Sequence, residues 1–258
     1  MTSELHTDLP TPRRALAAGA HPDDVEFGCG ATLAKWAAAG CEIHHLVCTD
    51  GSKGSWDPLE EPGRLVAVRQ EEQRAASRAL GGKGDVVFLG WPDGELECGL
   101  RQRWEVAYWL RHLRPDVVLG HDPWRRYRLH PDHRHAGFLV TDAIVAARDP
   151  HFFPELDAEP HRPESLLLWE ADEPDHVENV EGFFEHKVAA LLEHRSQFRS
   201  TMGIDTVGID TRDADTRDAE GAAAEVDAFR RRVRDQLRED GGLARLPMGE
   251  AFKLIKSL

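Results

Sequence analysis

Residues 15–49 read ALAAGAHPDDVEFGCGATLAKWAAAGCEIHHLVCT: an apolar run, a polar turn holding His21, Pro22, Asp23 and Asp24, an amphipathic stretch, and a second apolar run closing at Thr49. The runs Ala15 to Ala20 and Glu42 to Thr49 are short and bounded by turn residues, as strands buried on both faces are. The stretch from about Gly28 to Ala39 has the spacing of a helix. Strand, helix and strand in this order form a βαβ unit, which requires a parallel sheet.

The alternation continues to about residue 147. After a Gly/Ser/Pro-rich loop, Gly51 to Gly63, a helix is expected from Arg64 to Leu80, stopped by Gly81 and Gly82. A strand at Val86 to Leu89, a turn at Trp91 to Gly94, a helix from about Leu100 to Leu113 and a strand at Val117 to Leu119 follow. Past residue 150 the pattern weakens to a Pro-rich connection, Asp149 to Pro163, and short strands at Leu166 to Trp169 and His176 to Val180. Helices are expected from Glu181 to about Arg195, from about Ala222 to Leu237 and from about Met248 to Lys256. The repetitive acidic stretch Asp205 to Glu220 reads as an exposed loop. The expected organisation is an α/β fold: a disordered arm over residues 1–14, then one domain, 15–258, with a sheet-forming core at 15–150 and a C-terminal α+β extension at 151–258.

The chain has 258 residues, 41% apolar and 30% charged, enough for one large domain. A formal charge of -14 argues against nucleic acid and anionic membrane as partners, because both need basic surface. A small-molecule substrate is expected. The start lacks the basic and apolar segments of a secretory signal, and no run approaches the roughly 20 apolar residues of a membrane span, so a cytoplasmic location is expected. Cys29, Cys41, Cys48 and Cys98 form no CxxC pair and read as reduced fillers.

The chemistry concentrates in two clusters, His21-Pro22-Asp23-Asp24 and His130-Pro131-Asp132-His133. Both are expected beyond strand ends, where open α/β sheets bind ligands, so one site can be built from both. His21 and Asp24, three apart across a turn that Pro22 stiffens, can aim at one ion, with His133 as a third ligand. Two histidines and a carboxylate with an open position make a catalytic zinc arrangement, which lowers the pKa of water to about 7. Iron is also accepted by imidazole and carboxylate. Asp23 is then free to take the proton of the attacking water and pass it to the leaving amine. His130, as an imidazolium, would steady the oxyanion, with Asp132 orienting it. Either cluster alone would be an ordinary turn with an Asx-type hydrogen bond; the pair makes the metal reading stronger.

These residues resemble the LmbE-like (PIG-L-like) zinc N-deacetylases, nearest the bacterial bacillithiol-pathway-type branch. The resemblance rests on Ala20 to Glu26 with Gly28 and Gly30, and on His130 to His133. It extends to Thr49 to Gly54, Arg69 with Glu72, Leu89 to Gly94, and Lys187 through Gln197, covering most of residues 15–200. It implies a Rossmann-like domain that removes an acetyl or other acyl group from an aminosugar or sugar conjugate. It also implies zinc on His21, Asp24 and His133, Asp23 as general base, His130 at the oxyanion, and sugar contacts from Arg69 and Asp93. The chain departs from many members at Val25, which stands where they carry Glu. It departs again at Arg128, where a Tyr assists the oxyanion in some; Tyr127 is adjacent. Related bacterial proteins include monomers and homo-oligomers.

Other readings compete. Arg69 and Glu72 alone would be a surface ion pair, and Asp93 ordinary turn chemistry. Arg125, Arg126, Arg128 and Arg134 form either a substrate anion site or a solvated loop; Trp124 and Tyr127 either stack on a sugar or anchor that loop. An amidase of a larger thiol-sugar conjugate and a non-catalytic metal-binding relative are the alternatives for function. A dinucleotide fold needs a glycine where Leu33 stands, and a two-metal phosphoesterase lacks a second ligand set.

Overall fold

The computed structural model describes residues 5–205 and 216–258. Among these residues eight strands form one sheet: β1 (His6–Thr7), β2 (Arg14–Gly19), β3 (Glu42–Thr49), β4 (Val86–Trp91), β5 (Val117–His121), β6 (Ser165–Trp169), β7 (His176–Asn179) and β8 (Gly249–Lys256). Among the described residues six α-helices accompany them: α1 (Asp24–Ala38), α2 (Pro62–Ala79), α3 (Leu100–Leu113), α4 (Pro131–Arg148), α5 (Phe184–Leu191) and α6 (Thr216–Leu243). The order across the sheet is β1-β7-β8-β6-β5-β2-β3-β4. Every neighbouring pair is parallel except the two that β8 makes, with β6 and with β7.

The apolar runs become strands because both faces are covered. Along β2, Leu16 and Ala18 join a core with α3 and α4 residues such as Leu110 and Leu139. Ala15 and Ala17 join the opposite core, with Leu33 and Trp36 of α1. Direction along the sheet reverses between β2 and β5, the point at which doubly wound sheets open a ligand crevice. Cys29, Cys41 and Cys48 are buried and free.

Several expectations change. Met248 to Lys256, expected as a helix, supplies β8. Its mixture of Glu, Ala, Leu and Lys suits a helix locally, but the space between β6 and β7 takes it as an antiparallel strand. The C-terminal strands therefore continue the main sheet. Helix α1 starts at Asp24 rather than Gly28 and is interrupted at Cys29, whose φ of -149° is not helical. The arm expected to be disordered is placed from Leu5 onward: β1 pairs with β7, and the Leu9 N–H donates to buried Glu178 at 2.8 Å. Most of the expected acidic loop, 206–215, lies outside the described residues, and 216–220 already belong to α6.

Candidate active site and metal centre

The turn between β2 and α1 is held from three sides. The Thr49 N–H and hydroxyl, at the end of β3, both donate to the Ala20 carbonyl, at 2.8 and 2.9 Å. Arg69 on α2 donates to the carbonyls of Pro22 (2.6 Å) and Gly51 (2.9 Å), tying the turn to the following loop. Asp23 adopts a φ of +94°, rare for a residue with a side chain. Its N–H donates to Gln73 Oε1 at 3.0 Å, and Gln73 Nε2 donates to Glu26 at 2.7 Å. Glu26 also faces His194 Nε2 at 3.2 Å, so a buried polar chain lies behind the turn.

His21, Asp24 and His133 come together at the reversal point between β2 and β5. Asp24 Oδ1 lies 3.3 Å from His133 Nε2, and Asp24 Oδ2 lies 3.4 Å from His21 Nδ1. One ligand atom from each of the three falls within 4.8 Å of the others. His21 Nε2 is flanked by Asp93 Oδ1 and Asp132 Oδ2, each at 3.1 Å. Burial works against a charged His21, yet the hydrogen bonds to Asp132, Asp24 and Asp93 outweigh it and raise its pKa well above the usual histidine range. The three carboxylates that favour a proton on His21 equally favour a bound metal cation, and an imidazole that coordinates one gives up that proton. Burial holds His133 down at about 4, so it is the neutral imidazole that coordinates metals. The donor set, two imidazoles and a carboxylate, fits a catalytic zinc ion. Burial also pushes the Asp23 carboxyl up to about 6, against the pull of Arg69, whose Nη2 is 3.7 Å away.

The remaining predicted residues divide. His130, at the N-cap of α4, is exposed and its ring lies 4.7 Å from those of both His21 and His133. Asp132 does not hold it: its carboxylate accepts the Gly94 and Leu96 N–H groups at 2.6 and 3.2 Å and faces His21. Burial first, and then the charge of His21, lower the His130 pKa, where an imidazolium had been expected. Arg69 is buried and engaged with backbone, while Glu72 accepts the Ser196 N–H and hydroxyl, so the two form no surface pair. Asp93 orients both the site and its loop, accepting the Lys53 N–H at 3.0 Å. Of the two candidates for the oxyanion-assisting position, Tyr127 is 93% exposed, whereas Arg128 donates to His133 Nδ1 at 2.9 Å and to Glu170 at 2.6 Å. Arg125 and Arg126 pair with Glu170 and Asp172, and Arg134 donates to the Arg128 carbonyl, so each of these arginines has an internal partner, while Arg125 also lines the cavity. Trp124 meets Phe138 of α4 edge to face, which anchors the loop.

Sequence reasoning passed over His121, Trp169, Gln73 and Glu26. His121 ends β5 as His21 follows β2, and that shared strand-end position was the available signal. Trp169 and Gln73 reach the site through sheet register and helix packing, which no local spacing encodes, whereas Glu26 lies in the first turn of α1 within the first motif and was given no role.

The site opens into a cavity of ≈ 960 Å³ whose lining includes His21, Asp23, Asp24, Asp93 and His130 near the turn and Gln236, Asp240 and Leu243 of α6 farther out. No helix among the described residues is long and apolar enough to cross a membrane.

The family model for GlcNAc-PI de-N-acetylase (PIG-L) matches residues 16–144. The diacetylchitobiose deacetylase of Thermococcus kodakarensis is 34% identical over 189 residues, 72% of this chain and 70% of its own. A 1D-myo-inositol 2-acetamido-2-deoxy-alpha-D-glucopyranoside deacetylase of Streptomyces avermitilis is 34% identical over 174 residues, 58% of each chain. The N,N'-diacetylchitobiose deacetylase of Pyrococcus horikoshii superimposes with a TM-score of 0.79 at 26% identity, covering 95% of this chain and 84% of that one. The shared sheet, the matched span and these relatives together place the chain in the PIG-L family of metal-dependent de-N-acetylases.

Proposed function

We propose that this protein removes an N-acyl group, an acetyl by analogy with its relatives, from an aminosugar or N-acetylglucosamine conjugate, with Zn2+ held by His21, Asp24 and His133. The observation that carries this reading is the convergence of those three side chains within 4.8 Å, with Asp23 beside them on the cavity wall. When bound, the metal supplies a Lewis acid that polarises the acyl carbonyl and acidifies water.

The chain's own residues supply the rest. Asp23, with its pKa raised to about 6, accepts the proton of the attacking water and returns it to the nitrogen as the C–N bond breaks, giving free amine and carboxylic acid. Its backbone is pinned by Gln73, so the carboxyl is presented without searching conformations. His130 lines the cavity, and in this reading its neutral imidazole N–H donates to the oxyanion of the tetrahedral intermediate. Arg69 keeps the turn and the Gly51 loop together, acting on substrate through the shape of the site. Asp93 lines the cavity and is the sugar-hydroxyl acceptor in this reading. The volume lies at the upper end of the range for small-molecule sites, consistent with a conjugate.

The test is acetate release from a panel of N-acetylglucosaminides, with and without chelator, alongside elemental analysis. Release that stops with chelator and returns with Zn2+ is expected. Full turnover in metal-stripped protein would refute the reading, and iron as the only bound metal would replace zinc.

A further inference from the structure

Asp24 is held by more than the turn it belongs to. Its Oδ2 accepts the His21 N–H at 2.7 Å and lies 3.2 Å from Nε2 of His121, the last residue of β5. His121 Nδ1 in turn receives the indole N–H of Trp169 at 3.0 Å. His121 and Trp169 are direct partners in the β5–β6 register, and each is 1% exposed. An indole nitrogen only donates, so Nδ1 must accept, and the ring proton of a neutral His121 then sits on Nε2, facing the carboxylate. The Ala20 N–H also lies near Nε2, at 3.4 Å, the longest of these contacts. The seat for the indole is built into α1: a Cβ on Gly28 would come within 2.5 Å of the Trp169 ring.

We infer that Trp169 and His121 form a hydrogen-bond relay that fixes the orientation of Asp24 and thereby sets the affinity of the site for its metal. The inference rests on the metal-centre reading proposed above. Both are positioning residues. With Oδ2 engaged by two donors, Oδ1 is the oxygen left facing His133, so the relay decides which oxygen is offered to an ion. The His121–His133–Glu170 grouping, whose ligand atoms also lie within 4.8 Å, is not a second metal site on this view. Its His121 is consumed by the relay, and Glu170 is bound by Arg125 and Arg128.

The experiment measures the Zn2+ dissociation constant by competition with a chromophoric chelator, with no substrate present. It compares the wild-type chain with Trp169→Phe, His121→Ala and His121→Gln, and records the unfolding temperature of each metal-free protein. Loss of an outer partner weakens metal binding by about 10–100-fold. His121→Ala should fall in that range and Trp169→Phe, which deletes only the N–H, at its lower end. His121→Gln, whose amide N–H reaches the place of Nε2, should stay closer to wild type than to His121→Ala. Unchanged affinity in Trp169→Phe and His121→Ala overturns the relay, even if their unfolding temperatures drop. So does a His121→Gln protein as weak as His121→Ala. A wild-type protein that binds no Zn2+ overturns the metal centre and the relay with it.

Discussion

Replacing Glu250 of β8 tests how the interrupted helix α1 is held. Just beyond the break at Cys29, the N–H groups of Ala31 and Thr32 both go to Glu250, at 3.1 and 2.7 Å. This is the pattern of an N-cap, supplied by a distant strand. Lys187 of α5 completes it, donating to Glu250 Oε1 at 2.6 Å and to the Phe27 carbonyl before the break at 2.7 Å. Both side chains are buried. Glu250→Leu would strand an ammonium and two N–H groups; removing one member of a buried pair costs about 3–5 kcal/mol, so a loss of about 4 kcal/mol is expected. Glu250→Gln keeps one acceptor and should cost about half as much. Lys187→Met combined with Glu250→Leu should cost less than the sum of the single changes by about 2 kcal/mol, because the charge stranded by each is then absent. Urea unfolding followed by tryptophan fluorescence reads all four. A Glu250→Leu protein within about 1 kcal/mol of wild type, or costs that simply add, would refute this account of the break.

Asp23→Asn should keep metal content near normal while turnover falls by about two to four orders of magnitude, read by elemental analysis and acetate release; persisting turnover would remove Asp23 as the base. Burial, reinforced by Glu250, pushes Asp240 up to about 6 despite its Gln236 partner. The folded state then holds an extra proton between the ordinary aspartate range and about 6, so this group's contribution to stability falls as pH rises through that window. Asp240→Asn should therefore stabilise the protein above about pH 6, by about 1 kcal/mol once partial solvent screening is allowed for, and lose that advantage below about pH 4. A gain that is independent of pH in thermal melts would contradict the burial argument.

The sheet-forming core was legible because its strands are buried on both faces and its helices are not. Glu42–Thr49 and Leu100–Leu113 stand where hydrophobic patterning puts them. β8 was not legible, since Glu250 and Lys253 are polar in a strand only because Lys187 and Asp175 await them across the fold. The break at Cys29 misled in the same way: Gly28 and Gly30 mark an interruption, and they read as a helix start. In the site, His21, Asp24 and His133 stood out because each follows a turn signature. His121 and Trp169 meet through strand register, and Gln73 through the docking of α2, so neither meeting leaves a local trace.

The position of β8 bears on how the chain assembles. β1 pairs with β7 alone, and β7 joins the remaining strands only across β8. A nascent polypeptide that has not yet delivered residues 249–256 would carry β6, Ser165–Trp169, as a naked apolar border with unpaired backbone. Such a border invites association with other chains until β8 arrives to pair with it.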